Sequence, residues 1–293
     1  MGKISITFLL TSKNFSPILI ICLLFSFSTI KDLYPQDTSI YKDPSTLDVK
    51  IFRAINNSRT PTLDKIVFVT DKSVFPAAIL TPVILFTLSR INKNYYDENS
   101  AVLTSLSEIT SFGVSFAVKN IVKRPRPYEA LKNVVRYKND LAFTDPYSFP
   151  SGHTSTAFSL ATSLTLRYPD KPVLITGLYL YACTVSLGRI YLGVHYPTDV
   201  LGGMIIGSGS AILIYSLRKE IISAKNSLFN EKGREDINGS SKYTTIIFSS
   251  LIASDVLNYL FERFDNKIMN NTRFEAGENS ILGGYSLKIN YNF

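Results

Sequence analysis

Histidine and cysteine are scarce in this chain of 293 residues, and that scarcity narrows the chemistry open to it. The two cysteines, Cys22 and Cys183, both lie in apolar runs, where a buried inert thiol is the expected state. That placement argues against a disulfide framework, and the sequence offers no Cys/His cluster for zinc. The two histidines are His153 and His195, and any histidine chemistry falls on them. Charge is sparse as well, at 18% of residues against 45% hydrophobic, with a mean hydropathy of +0.12. That balance suits apolar membrane helices joined by charged loops. The net charge of +8 is scattered over short loops between apolar runs, not gathered into one basic face or arm. Scattered charge argues against nucleic acid as a partner, and for membrane topology or attraction to anionic lipid and phosphate.

The N-terminus carries Lys3 and Lys13 and then an apolar stretch from Phe15 to Ile30, which predicts a signal peptide or first membrane helix over residues 1–31. Residues Lys31 to Lys72 are mixed and polar and predict short surface helices, with an extracytoplasmic segment over 32–63. Five apolar runs of helical length follow: Val74–Ile91, Ala101–Val122, Thr154–Tyr168, Val173–Leu187 and Val200–Leu217. They predict an all-α fold, a membrane helical bundle. Some are shorter than the roughly 20 residues of an upright span, so tilted or shortened helices are expected. The run holding Glu108 and many serines is expected to be buried among the others. Gly202, Gly203, Gly207 and Gly209 suit close helix packing in the last run. With the N-terminus inside, Arg90–Lys93, Arg167–Lys171 and Arg218–Lys242 fall on the cytoplasmic side, as the positive-inside rule asks. Lys119–Pro150 falls outside although it is basic, and a phosphate site accounts for its charges. Residues 218–293 form a basic loop and a tail: Tyr243–Leu260 reads as an amphipathic helix or a further span, and Gly284–Phe293 alternates as a strand does, in a local hairpin or at an edge.

Three short segments place unusual residues where apolar helices end. They are Lys119-Asn-Ile-Val-Lys-Arg-Pro-Arg126-Pro127, Pro150-Ser151-Gly152-His153, and Gly188-Arg189-Ile-Tyr-Leu-Gly-Val-His195-Tyr-Pro-Thr-Asp199. Lys119, Arg126 and Arg189 supply fixed cations, and guanidinium forks match phosphate oxygens. Ser151, Gly152 and His153 at a helix start offer backbone N–H groups and a positive dipole end. Phosphoryl transfer is accelerated chiefly by donors set around the equatorial oxygens. If the chain is helical there, the four-residue spacing sets Asp199 beside His195, leaving one ring nitrogen free to attack phosphorus. His153 is then the group available to protonate the leaving oxygen. No carboxylate cluster suggests magnesium, so neither a metal nor another cofactor is expected.

Taken together, the three segments resemble the signature of the PAP2 phosphatase superfamily: Lys-x6-Arg-Pro, Pro-Ser-Gly-His and Ser-Arg-x5-His-x3-Asp. The resemblance covers about Asp64 to Leu217 and implies a core of about six helices over residues 64–217. Carried over position by position, it implies His195 as nucleophile, Asp199 as its partner and His153 as general acid. It implies Lys119, Arg126, Ser151, Gly152 and Arg189 as the phosphate cradle. One position departs: Gly188 stands where the pattern has serine, which removes one accessory hydroxyl. The resemblance implies a metal-independent phosphatase acting through a phosphohistidine, with a lipid substrate such as undecaprenyl diphosphate, phosphatidic acid, phosphatidylglycerophosphate or lipid A. It also implies a place in the inner or plasma membrane with the site on the extracytoplasmic side. The alternatives are a soluble exported acid phosphatase, periplasmic or secreted, and a vanadate-dependent haloperoxidase.

Overall fold

The computed structural model describes residues 46–136 and 145–231, Arg234, and two strands at 272–279 and 284–291. The segments 1–31 and Tyr243–Leu260 lie outside the described residues. Among those described there are eight helices: α1 (Leu47–Asn56), α2 (Pro61–Ile91), α3 (Tyr95–Val122), α4 (Pro127–Ala130), α5 (Gly152–Arg167), α6 (Pro172–Tyr191), α7 (Pro197–Ser216) and α8 (Arg218–Leu228). A hairpin follows them, of β1 (Thr272–Asn279) and β2 (Gly284–Tyr291), antiparallel with Thr272 opposite Tyr291 and Asn279 opposite Gly284. The strand expected at the C-terminus is thus the second arm of a local hairpin.

Helix starts follow the local chemistry. Thr60 Oγ1 accepts the Leu63 N–H at 3.2 Å and Pro61 occupies the first helical position, so α2 begins at Pro61 and not at Val74. The polar look of residues 61–72 is that of a first turn bearing Asp64 and of site-facing residues such as Asp71, not of separate surface helices. Pro76 and Pro82 lie inside α2 without ending it, as membrane helices allow. Asn94 caps α3, with Asp97 and Glu98 in its first turn, and Lys123 closes it in the left-handed conformation. Ser151 caps α5 and Pro197 opens α7.

Helices α2, α3 (with α4), α6 and α7 are long and apolar enough to cross a membrane. Helix α5 differs: every residue from Thr154 to Leu164 is buried, and several of its serines and threonines meet polar partners, as in Thr104 Oγ1–Ser163 Oγ (3.0 Å) and Ser115 Oγ–Ser155 Oγ (2.8 Å). The enclosed helix is therefore α5 and not α3, whose Ile109, Phe112, Phe116 and Ile121 are exposed on one face. The main apolar core lies among α2, α3, α5 and α6, around Leu85, Leu160, Leu164 and Leu178, while Phe52 of α1 packs with Ile190, Tyr196 and Val200 below α7.

The tightest contact is between α5 and α7. A Cβ on Gly203 would lie 2.6 Å from the Ser151 carbonyl oxygen, and one on Gly207 2.1 Å from that of Ser155. Glycine there lets the start of α5 seat on α7. The bundle has two polar ends. One holds all three chemical segments. The other holds Glu98, whose buried carboxylate faces Lys225 (2.8 Å), Arg234 (3.2 Å) and Arg90 (3.3 Å).

Candidate active site

Lys119 ends α3, Arg126 precedes α4, Ser151, Gly152 and His153 open α5, and Arg189 closes α6. His195 sits in the tight link before α7, and Asp199 lies in the first turn of α7. The fold gathers all eight at one end of the bundle.

His195 is buried, and its Nδ1 lies 2.7 Å from the Ser148 carbonyl oxygen. A carbonyl only accepts, so Nδ1 carries the proton and Nε2 keeps its lone pair. Arg126 Nη1 lies 3.4 Å from Nε2. Burial, and then the charges of Arg126, Arg189 and Lys119, hold the imidazole well below the usual histidine range, so it is neutral at pH 7. Asp199 lies 3.6 Å from Nδ1, beyond hydrogen-bond length. Its Oδ2 accepts the Tyr196 N–H at 2.7 Å, and its Oδ1 accepts from Arg124 Nη1 at 2.5 Å. The i,i+4 reading assumed a helix at His195. Proline at 197 starts α7 two residues later, and Asp199 serves first as its N-terminal cap.

The cations converge but are not bare. Arg126 donates through Nε to the Asp145 carbonyl (2.9 Å) and through Nη1 to the Val194 carbonyl (3.1 Å). Lys119 Nζ donates to the Tyr147 carbonyl (2.8 Å) and to Asp145 Oδ1 (3.0 Å), which Arg126 Nη2 also reaches at 3.2 Å. Burial works against ionisation of Asp145, yet Lys119 and Arg126 outweigh it and hold the carboxyl below its usual range. Arg189 pairs with buried Asp71 of α2, and its Nε has no partner. His153 Nε2 lies 4.0 Å from the same Asp71 oxygen, with its ring edge-on to Phe75.

Ser151 Oγ accepts from Thr154 N–H (3.4 Å) and Thr154 Oγ1 (3.0 Å), and Ser151 N–H donates to the Asp199 carbonyl (2.9 Å). The hydroxyl therefore fixes the turn, while a Cβ on Gly152 would meet no atom within 4 Å, so the peptide there lies against open space. At Gly188 a Cβ would lie 3.1 Å from Val67 Cγ1. That position faces α2, so glycine there serves helix packing.

Four participants were not legible as such. Asp71 lies inside a membrane-length helix, where an ionisable residue is itself a signal. Arg124 bridges Asp199 to Asp48 (2.6 Å), and its guanidinium covers the Tyr196 ring at 3.9 Å. Asp48 caps α7 from α1 by accepting the Thr198 N–H at 3.0 Å. Asp145 carries no local signal in the sequence.

A family model described as the PAP2 superfamily matches residues 100–223. The undecaprenyl-diphosphatase of Sulfolobus acidocaldarius is 28% identical, over 57% of this chain and 76% of its own length. Undecaprenyl-diphosphatase BcrC of Bacillus subtilis is 26% identical, over 55% of this chain and 78% of its own. Among solved structures, LpxE of Aquifex aeolicus is 30% identical with a TM-score of 0.47, covering 59% of this chain and 96% of that one.

Proposed function

We propose that this chain, a phosphatase of the PAP2 superfamily, hydrolyses a lipid phosphate or diphosphate through a phosphohistidine on His195, without a metal, at the extracytoplasmic face of a membrane. The observation that carries this reading is the neutral His195, its Nε2 lone pair set beside Arg126 while Nδ1–H is taken by Ser148.

In the proposed reaction the terminal phosphate lies among Lys119, Arg126, Arg189 and the first N–H groups of α5. His195 Nε2 forms the N–P bond as the P–O bond to the leaving group breaks. His153 gives its proton to the departing oxygen. Water then attacks the phosphohistidine, His153 takes a proton from it, and inorganic phosphate leaves with His195 restored. Three side-chain cations at the reacting phosphate supply the charge that a metal ion provides elsewhere. Four helices able to cross a membrane, with the site at their ends, favour a substrate whose tail stays in lipid. The relatives named undecaprenyl-diphosphatases make a polyprenyl diphosphate the first substrate to test. The basic cytoplasmic-type loops at the opposite end support the extracytoplasmic placement.

Phosphate release by detergent-purified protein, in EDTA, from a panel of lipid phosphates and diphosphates and a soluble aryl phosphate tests the proposal. Release from lipid should persist in EDTA and vanish in His195→Ala. Appreciable turnover by the variant refutes the phosphohistidine, and release from the aryl ester alone refutes the lipid substrate.

A further inference from the structure

We propose that the Asp145 carboxylate is an internal ligand of the phosphate cradle, which substrate must displace and which helps to expel product phosphate. This rests on the phosphatase reading of the site. Asp145 Oδ1 receives Lys119 Nζ (3.0 Å), Arg126 Nη2 (3.2 Å) and the Tyr147 N–H (3.2 Å), and the first two are cations that reading gives to the transferred phosphate. One carboxylate oxygen thus stands where a phosphate oxygen would bridge the same pair.

The carboxylate is the exchangeable part of the contact. The Asp145 side chain is 48% exposed, while those of Arg126 and Lys119 are 2% and 8% exposed. The buried cations are aimed by main-chain carbonyls: Arg126 by Asp145 and Val194, and Lys119 by Tyr147. Those carbonyls stay in place when the Asp145 side chain turns outward to water. The cations then keep their positions and regain one donor each for an incoming anion. A residue whose only task was to orient Lys119 and Arg126 would not need to be half in solvent, nor to spend its charge on donors already fixed by carbonyls.

A competitor of this kind has a thermodynamic signature. It stabilises the empty site and not any one complex, so removing it tightens every anion by the same factor. For one charge-assisted contact in a half-exposed setting that factor is roughly five-fold. A supporting residue has the opposite signature, because its removal loosens the cradle and weakens binding.

The test is calorimetric binding of orthophosphate and of sulfate to the detergent-purified wild type, Asp145→Asn and Asp145→Ala. The alanine variant guards against new contacts from the asparagine amide. Both anions should tighten by a common factor of roughly five in both variants. Unchanged or weaker binding, unequal factors for the two anions, or no measurable binding in the variants would each overturn the proposal. Because the readout is equilibrium binding, it is separate from turnover: absence of hydrolysis by the wild type would count against the phosphatase reading, while the anion affinities still decide the role of Asp145.

Discussion

The seating of α5 on α7 can be broken by one methyl group. In Gly203→Ala the new Cβ would lie 2.6 Å from the Ser151 carbonyl oxygen and 2.9 Å from Thr154 Cβ. A comfortable C···O separation is about 3.3 Å, so the two backbones must part by roughly 0.7 Å. Neither neighbour is a flexible chain end. Ser151 is the cap that sets the first turn of α5, and its N–H is bonded to Asp199 in the first turn of α7. The shift therefore moves the Ser151-Gly152-His153 turn relative to His195. Overpacking of this size costs about 1–3 kcal/mol, against a gain of up to about 1 kcal/mol from helix propensity. Misplacement approaching an ångström lowers turnover by up to about 100-fold, so a loss of ten- to a hundred-fold is expected. Gly209→Ala is the control, since its Cβ meets nothing within 4 Å and only the helix-propensity gain of about 0.5–1 kcal/mol applies. Turnover of a soluble aryl phosphate and thermal unfolding in detergent read both variants. Wild-type turnover and stability in Gly203→Ala would refute the argument that this contact positions the site.

Further outcomes are expected at both ends of the bundle. Asp71→Asn strips Arg189 of its counter-charge and His153 of its nearest carboxylate, so kcat/KM should fall roughly 100-fold, and more for esters with poor leaving groups. His153→Ala should show the same leaving-group pattern, and the double variant should lose much less than the sum, since one proton donor is disabled twice. Equal losses on good and poor leaving groups would remove Asp71 from that role. At the other end, Glu98→Gln leaves Arg90, Lys225 and Arg234 with Glu231 as their shared carboxylate partner among the described residues. A cost of about 2–3 kcal/mol is expected, below that of a fully enclosed pair because Arg90 and Arg234 are partly solvated. Thermal unfolding measures it, and a change under about 0.5 kcal/mol would mean that the cluster is a solvated surface arrangement.

The helices were legible because long apolar runs must bury their backbone polar groups internally, and the three chemical segments stood out because they interrupt those runs at their ends. Boundaries were less legible. Pro61 opens α2 ahead of the apolar run, since capping, and not hydrophobicity, decides where a helix starts. The assignment of the enclosed helix was reversed for a similar reason. Serines occur in both α3 and α5, and which of them is surrounded depends on neighbours far along the chain. The same limit hid Asp71, Arg124 and Asp145. Each acts through a partner 19 to 118 residues away, as in Arg126–Asp145 and Arg189–Asp71, and no local pattern encodes such a pairing.

Charge balance ties these partners to the proposed reaction. Lys119, Arg124, Arg126 and Arg189 are paired with Asp48, Asp71, Asp145 and Asp199, so the ligand-free site is electrically matched with His195 neutral. Exchange of Asp145 for a phosphate dianion brings one negative charge more than it removes. In a buried site that excess is costly unless a proton comes with it. Asp199 cannot take the proton without giving up Arg124 and its cap on α7, and Asp71 cannot without leaving Arg189 unpaired. His195 must stay unprotonated to attack. Among the site's side chains that leaves His153, partly exposed and 4.0 Å from Asp71; burial and the Arg189 charge hold its imidazole pKa down to about 3 with no anion bound, and an arriving dianion offsets those charges. Under the proposed mechanism, binding of the dianion therefore loads the proton that His153 later gives to the leaving oxygen, and departure of phosphate with the return of Asp145 releases it.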